Sequence, residues 1–119
     1  MIENLNGIHE TVKYKENSNV KLFINAEAED YPIHWHTPME IIMPLEGGYT
    51  VQIGDDLVHL NESDIIFIAS GVKHRLIAPD TGKRLILQIE WSAVSKIKEL
   101  NSILTLIAPA ITLNPGNSR

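Results

Sequence analysis

His34-Trp35-His36-Thr37-Pro38-Met39-Glu40 is the stretch on which the reading of this chain turns. His34, His36 and Glu40 have equal parity, and side chains of equal parity on an extended strand point to one face. Two imidazoles and a carboxylate therefore converge on one pocket if Pro38 leaves the register intact. A third imidazole, His74, stands 34 residues after Glu40, just behind the Ser70-Gly71 turn. An antiparallel meander of that length returns it beside the first strand. Two or three His with one carboxylate suit Zn²⁺, Fe²⁺, Mn²⁺ or Ni²⁺, because neutral imidazole and ionised carboxylate both donate lone pairs. Without a cation the same groups offer hydrogen bonds to hydroxyl or carboxylate groups of a small ligand. A His-x-His pair also arises by chance, so spacing alone leaves an ordinary packing role open.

Outward from this cluster, strand signals run from Val20 to Trp91. Val20–Asn25 reads as a strand, residues 26–32 as an acidic loop ending in Pro32, and 33–45 as a strand region interrupted or bent at Pro38 and Pro44. Tyr49–Ile53 and Leu57–Leu60 flank Gly54-Asp55-Asp56 as a hairpin. Ile65–Ile68 is a continuous apolar run, typical of a strand buried on both faces or of one entering a core. Pro79-Asp80-Thr81-Gly82 is a turn, since Pro presets φ and Gly tolerates positive φ. Leu85, Leu87, Ile89 and Trp91 share one face of the next strand, with Gln88 and Glu90 on the other. Short strands separated by Gly/Pro turns imply a sandwich or barrel. After Trp91 the period changes: Val94, Ile97, Leu100, Asn101, Leu104 and Ile107 recur at near-helical spacing, with Ser92 as N-cap. One amphipathic helix is expected over 93–107, a short strand over 110–113, and a linker over 114–119.

Two stretches now resemble a known family. His34 to Glu40 followed by Gly47 is similar to the first cupin motif, and Ser63-Asp64-Ile65-Ile66-Phe67-Ile68-Ala69-Ser70-Gly71-Val72-Lys73-His74 to the second. The resemblance spans about Val20 to Trp91. It implies an all-β double-stranded β-helix, or jelly-roll barrel, with the C-terminal amphipathic helix appended: residues 1–92 form barrel and N-terminal arm, residues 93–119 helix and linker. It also implies a pocket lined by His34, His36, Glu40 and His74, the four positions that would hold a divalent metal. Ala28, Ser63, Ala69 and Ala78 stand where the family pattern has Gly, Gly, Pro and Asn. Those changes spare the four ligand positions. Tyr49 is a further candidate, able to offer its hydroxyl to the pocket, although packing on a neighbouring strand suits it as well.

Within the cupins, His34-Trp35-His36 with Glu40-Ile41-Ile42 and Leu45-Glu46-Gly47, and a closing strand Leu87-Gln88-Ile89-Glu90-Trp91, resemble the sensory domain of AraC-family regulators. That resemblance implies a non-enzymatic domain binding a small polar effector, often a sugar, with DNA contacted only through a separate C-terminal region. The movable elements would be the arm, residues 1–15, and the helix, which also carries a stripe suited to a homodimer. Composition agrees with that division. The chain has 119 residues and a net charge of −5, and its ten Lys and Arg are scattered, so it lacks the basic patch that phosphate binding needs. It contains no cysteine, which removes disulfides, thiolate metal sites and cysteine nucleophiles. It has neither an apolar run of membrane length nor a signal-peptide pattern, and a cytoplasmic location is the default. The competing reading is a stand-alone metal-dependent cupin enzyme such as a dioxygenase or sugar isomerase. A storage or purely structural cupin is a weaker third.

Overall fold

The computed structural model describes residues 5–14, 19–26, 30–79, 81–90 and 110–113. All regular structure among them is β. In chain order the strands are β1 (Leu5–Asn6), β2 (His9–Glu10), β3 (Val20–Asn25), β4 (Tyr31–His34), β5 (Met39–Glu46), β6 (Tyr49–Ile53), β7 (Asp56–Leu60), β8 (Ile65–Ile68), β9 (His74–Ile77), β10 (Lys83–Ile89) and β11 (Ala110–Leu113). They form a five-stranded sheet, β11-β8-β5-β10-β3, a four-stranded sheet, β4-β9-β6-β7, and a two-stranded arm, β1-β2. Every pairing between these strands is antiparallel.

Alternation makes the core. Ile42 from β5, Ile66 and Ile68 from β8, and Ile86 from β10 meet Tyr49, Val51 and Ile53 from β6, Leu60 from β7 and Leu76 from β9. Each contributes from the inward parity of its strand, so the two sheets close on one apolar interior. The run Ile65–Ile68 is not buried on both faces: Ile66 and Ile68 are buried while Ile65 and Phe67 are only partly covered. In β10 the inward parity carries Arg84, Ile86 and Gln88, and Leu85, Leu87 and Ile89 turn outward. The polar-looking face of that strand is therefore the interior one. β11 lies against β8, with Ile111 opposite Phe67, as the short-strand expectation for 110–113 required. The expected helix over 93–107, its Ser92 cap, Trp91, Ala28 and the 114–119 linker lie outside the described residues.

The turns between strands follow their residues. Gly71 has φ of 75° and Gly82 108°, and a Cβ at Gly82 would collide with the Glu46 carbonyl. Ser63 takes the same left-handed backbone, φ 72°, without being glycine.

Candidate ligand and metal site

Backbone pairing brings the two motifs together before any side chain does. His34 at the end of β4 pairs with His74 at the start of β9, and His74 also faces Ile53 of β6. Beyond His34 the chain leaves the four-stranded sheet. His36 and Pro38 lie in the crossing, and Glu40 is already on β5 of the other sheet. The strand region expected over 33–45 is thus interrupted between His34 and Met39, around Pro38. The side chains converge because the chain changes sheets between them, at the proline. Two bonds clip the crossing to the turn before His74: Gly71 N donates to the His36 carbonyl at 2.9 Å, and the Ser70 hydroxyl donates to the Thr37 carbonyl.

The three rings gather into one cluster, tilted or edge-on to one another, with centroids 4.3 Å apart for His34–His74, 5.0 Å for His36–His74 and 5.7 Å for His34–His36. One nitrogen from each lies within 4.8 Å of the others, and all three residues are buried. Each Nδ1 faces a backbone carbonyl: His34 that of Pro32 at 2.8 Å, His36 that of Pro38 at 2.9 Å, His74 that of Val72 at 2.9 Å. A carbonyl only accepts, so each Nδ1 carries hydrogen and each neutral ring presents its Nε2 lone pair to the cluster.

Glu40 sits opposite, 2% exposed. Its Oε1 lies 3.3 Å from His36 Nε2 and its Oε2 3.3 Å from His74 Nε2. Gln88 Nε2 donates to Oε1 at 2.8 Å and orients the carboxylate. His36 Nε2, His74 Nε2 and Glu40 Oε2 make no aligned hydrogen bond among the described residues. Lone pairs facing one another in a dry site are costly, and a proton or a cation between them relieves the cost. Burial lowers the His34 imidazole to about 4, with His74 adding to the effect. Burial also works against charge on His36, but Glu40 outweighs it and raises that ring. Burial alone would raise Glu40; His36 and His74 hold it well below the usual carboxylate range. Three preset imidazole lone pairs and an oriented carboxylate fit a divalent cation, and backbone carbonyls holding the far ring nitrogens are the supports such ligands need.

Tyr49 is placed differently from the other four. It is 2% exposed within the apolar core, with the Arg84 guanidinium 4.4 Å above its ring. Arg84 Nη1 donates to Asn25 Oδ1 at 2.6 Å, and Asn25 Nδ2 to the Tyr31 hydroxyl at 3.0 Å, which gives the interior a second polar group. Trp35 stacks on His9, outside the three-ring cluster, with ring centroids 4.1 Å apart. His59 meets Thr50 on the outer face. Arg75 pairs at the surface with Asp30.

One residue at the cluster was not legible in the sequence. Glu10 on β2 puts Oε1 3.6 Å from His34 Nε2, the ring that Glu40 does not reach. The arm holds it there by edge pairing: Glu10 N donates to the Trp35 carbonyl at 2.9 Å and Trp35 N to the Ile8 carbonyl at 2.8 Å. Gln88 was likewise legible only as a polar residue on one face of its strand.

The cupin domain model matches residues 22–89. The HTH-type transcriptional regulator YdeC of Bacillus subtilis (strain 168), described as uncharacterized, is 34% identical over 55 residues, which are 45% of this chain and 19% of that protein. The chain thus matches about a fifth of that relative's length. Among solved structures, a cupin-2 domain containing protein from Shewanella frigidimarina superposes with TM-score 0.56 at 19% identity, over 64% of this chain and 76% of that one. A cupin protein from Bacteroides fragilis gives 0.55 at 22%, over 64% and 70%. The EutQ protein of Clostridium difficile gives 0.53 at 17%, over 60% and 56%. The last three likenesses concern the fold alone. With the matched model covering more than half its length and both motifs meeting where the two sheets join, the chain belongs to the cupin domain family.

Proposed function

We propose that this chain is the small-molecule effector-binding domain of an AraC-type transcriptional regulator, with DNA contacted only by a region outside these residues. The observation that carries the proposal is the set of buried Nε2 and carboxylate oxygens of His36, His74 and Glu40, which point at one another without aligned partners. Such groups call for a ligand. The named role of the YdeC relative supports regulation as the purpose of binding. The acidic charge fits a domain that leaves phosphate contact to others. His34, His36, Glu40 and His74 would bind the effector directly or through a divalent metal. Tyr49, in this reading, supports the pocket from the core. Among the described residues there is no helix long and apolar enough to cross a membrane.

The second reading, a metal-dependent enzyme, is favoured by the preset imidazole tautomers. A cation held by His34, His36, His74 and Glu40 would supply Lewis acidity at the pocket. Thermal unfolding separates the two. Metal-stripped and metal-loaded protein is melted with a panel of sugars, polyols and small carboxylates, and each loaded form is assayed for oxygen uptake and sugar isomerisation. Stabilisation by one ligand class, lost in His74→Ala, without turnover, supports the sensor. Turnover at the same site overturns it in favour of the enzyme.

A further inference from the structure

The arm's carboxylate is placed as deliberately as the cluster it approaches. On either side of the bridge between His9 and Trp35 the parities match. His9 and Trp35 point outward and stack; Glu10 and His34 point inward and meet. Two backbone bonds fix that register, so Glu10 is brought to the cluster by the main chain. Glu40 lies against His36 and His74, and Glu10 against His34. The two carboxylates divide the three rings between them.

Charge then selects what can replace Glu10. Three neutral imidazoles and Glu40 leave a bound dication with one uncompensated positive charge. Glu10 cancels it. A monoanionic oxygen donor entering the pocket would cancel it equally well, and a neutral polyol would not. We propose that Glu10 is a displaceable internal ligand of this site, that an incoming carboxylate-bearing molecule competes with it, and that its displacement releases the β1–β2 arm from Trp35. This rests on the reading of His34, His36, Glu40 and His74 as a metal site, and it narrows the ligand from a small polar molecule to an anionic oxygen donor.

Co²⁺ absorption reports the coordination sphere without any activity. The full chain and its Glu10→Gln, Glu10→Asp and Glu40→Gln variants are titrated with Co²⁺, then with acetate or glycerol, while Trp35 emission reports the His9 stack in a Trp91→Phe background. Wild type and Glu10→Gln should both bind Co²⁺, the variant about tenfold more weakly. Acetate should alter the Glu10→Gln spectrum at a concentration at least tenfold lower than it needs in wild type. In wild type, the spectral change and the Trp35 change should run together, and glycerol should produce neither. Glu10→Asp, which keeps the charge and shortens the reach, should fall between the two. Equal acetate sensitivity in wild type and Glu10→Gln, with Co²⁺ bound in both, overturns the internal-ligand role and leaves the metal site standing. Glycerol matching acetate overturns the anionic class. Failure of wild type to bind Co²⁺ overturns the metal reading itself, and Glu10 with it. Circular dichroism of each variant separates these outcomes from loss of fold.

Discussion

At the scale of single residues, burial writes the pH dependence. The folded chain resists protonating His34 until about 4, against an ordinary 6.5. The unfolded chain takes up that proton below 6.5. Between the two values the unfolded state binds more protons, so stability rises with pH and falls on acidification. Metal-free protein should lose up to about 3 kcal/mol between pH 6.5 and pH 4 from this group, at most about 1.4 kcal/mol per pH unit. Urea unfolding at a series of pH values checks it, and His34→Asn should flatten the slope. Glu40, held low, adds its own loss only under more acidic conditions. Ser63 gives a second prediction. It stands where the family pattern has glycine, and its φ of 72° explains why. A left-handed backbone costs a residue with a Cβ roughly 1–2 kcal/mol, part of which glycine returns as chain entropy. Ser63→Gly should raise stability by about 1 kcal/mol, visible as a higher denaturant midpoint at unchanged slope. The histidines and Glu40 were readable because their residue types and spacing are distinctive. Glu10 was not, because it arrives on a two-residue strand with no periodic pattern, through a bridge to a tryptophan 25 positions away.

At the scale of strands, parity decides what a substitution does. Ile42 and Leu22 are both aliphatic residues of the five-stranded sheet, but Ile42 is fully buried and Leu22 is 60% exposed. Ile42→Ala should cost about 2–5 kcal/mol through lost burial and the cavity left behind. Leu22→Lys should stay within about 0.5 kcal/mol, since β3 is the last strand of its sheet and its side chain stands in solvent. Parallel denaturant curves of the two variants test the assignment of inside and outside; equal losses would contradict the register of β3 on β10. Alternation made β6 legible, the Gly54-Asp55-Asp56 turn gave β7 as its hairpin partner, and a continuous apolar run gave β8. Two features were not. The sheet change between His34 and Glu40 is hidden because Pro38 signals a bend without saying which sheet follows. The inward face of β10 is hidden because Arg84 and Gln88 read as solvent-facing until Asn25 and Glu40, from distant strands, supply their partners.

At the scale of the molecule, site and stability are one equilibrium. The site draws on both sheets: His34 and His74 from one, Glu40 and its support Gln88 from the other, with His36 in the crossing. Unfolding separates all of them, so the unfolded chain retains scattered His and Glu and no convergent donor set. A ligand of the folded site therefore stabilises the entire barrel. At a free concentration one hundredfold above its dissociation constant, the gain is about 2.7 kcal/mol. For a domain of this size that is roughly 10 °C in melting temperature. Metal-stripped protein should melt that much lower than protein given saturating Zn²⁺, Mn²⁺, Fe²⁺ or Ni²⁺, whichever the site holds, and a chelator should reverse the shift. The shift should vanish in His74→Ala, which removes a donor from one sheet, and in Glu40→Gln, which removes the charge from the other. A shift that survives both substitutions would mean that the cation binds elsewhere. A shift that survives only Glu40→Gln would mean that the imidazoles hold it and that the carboxylate is there for the rings alone.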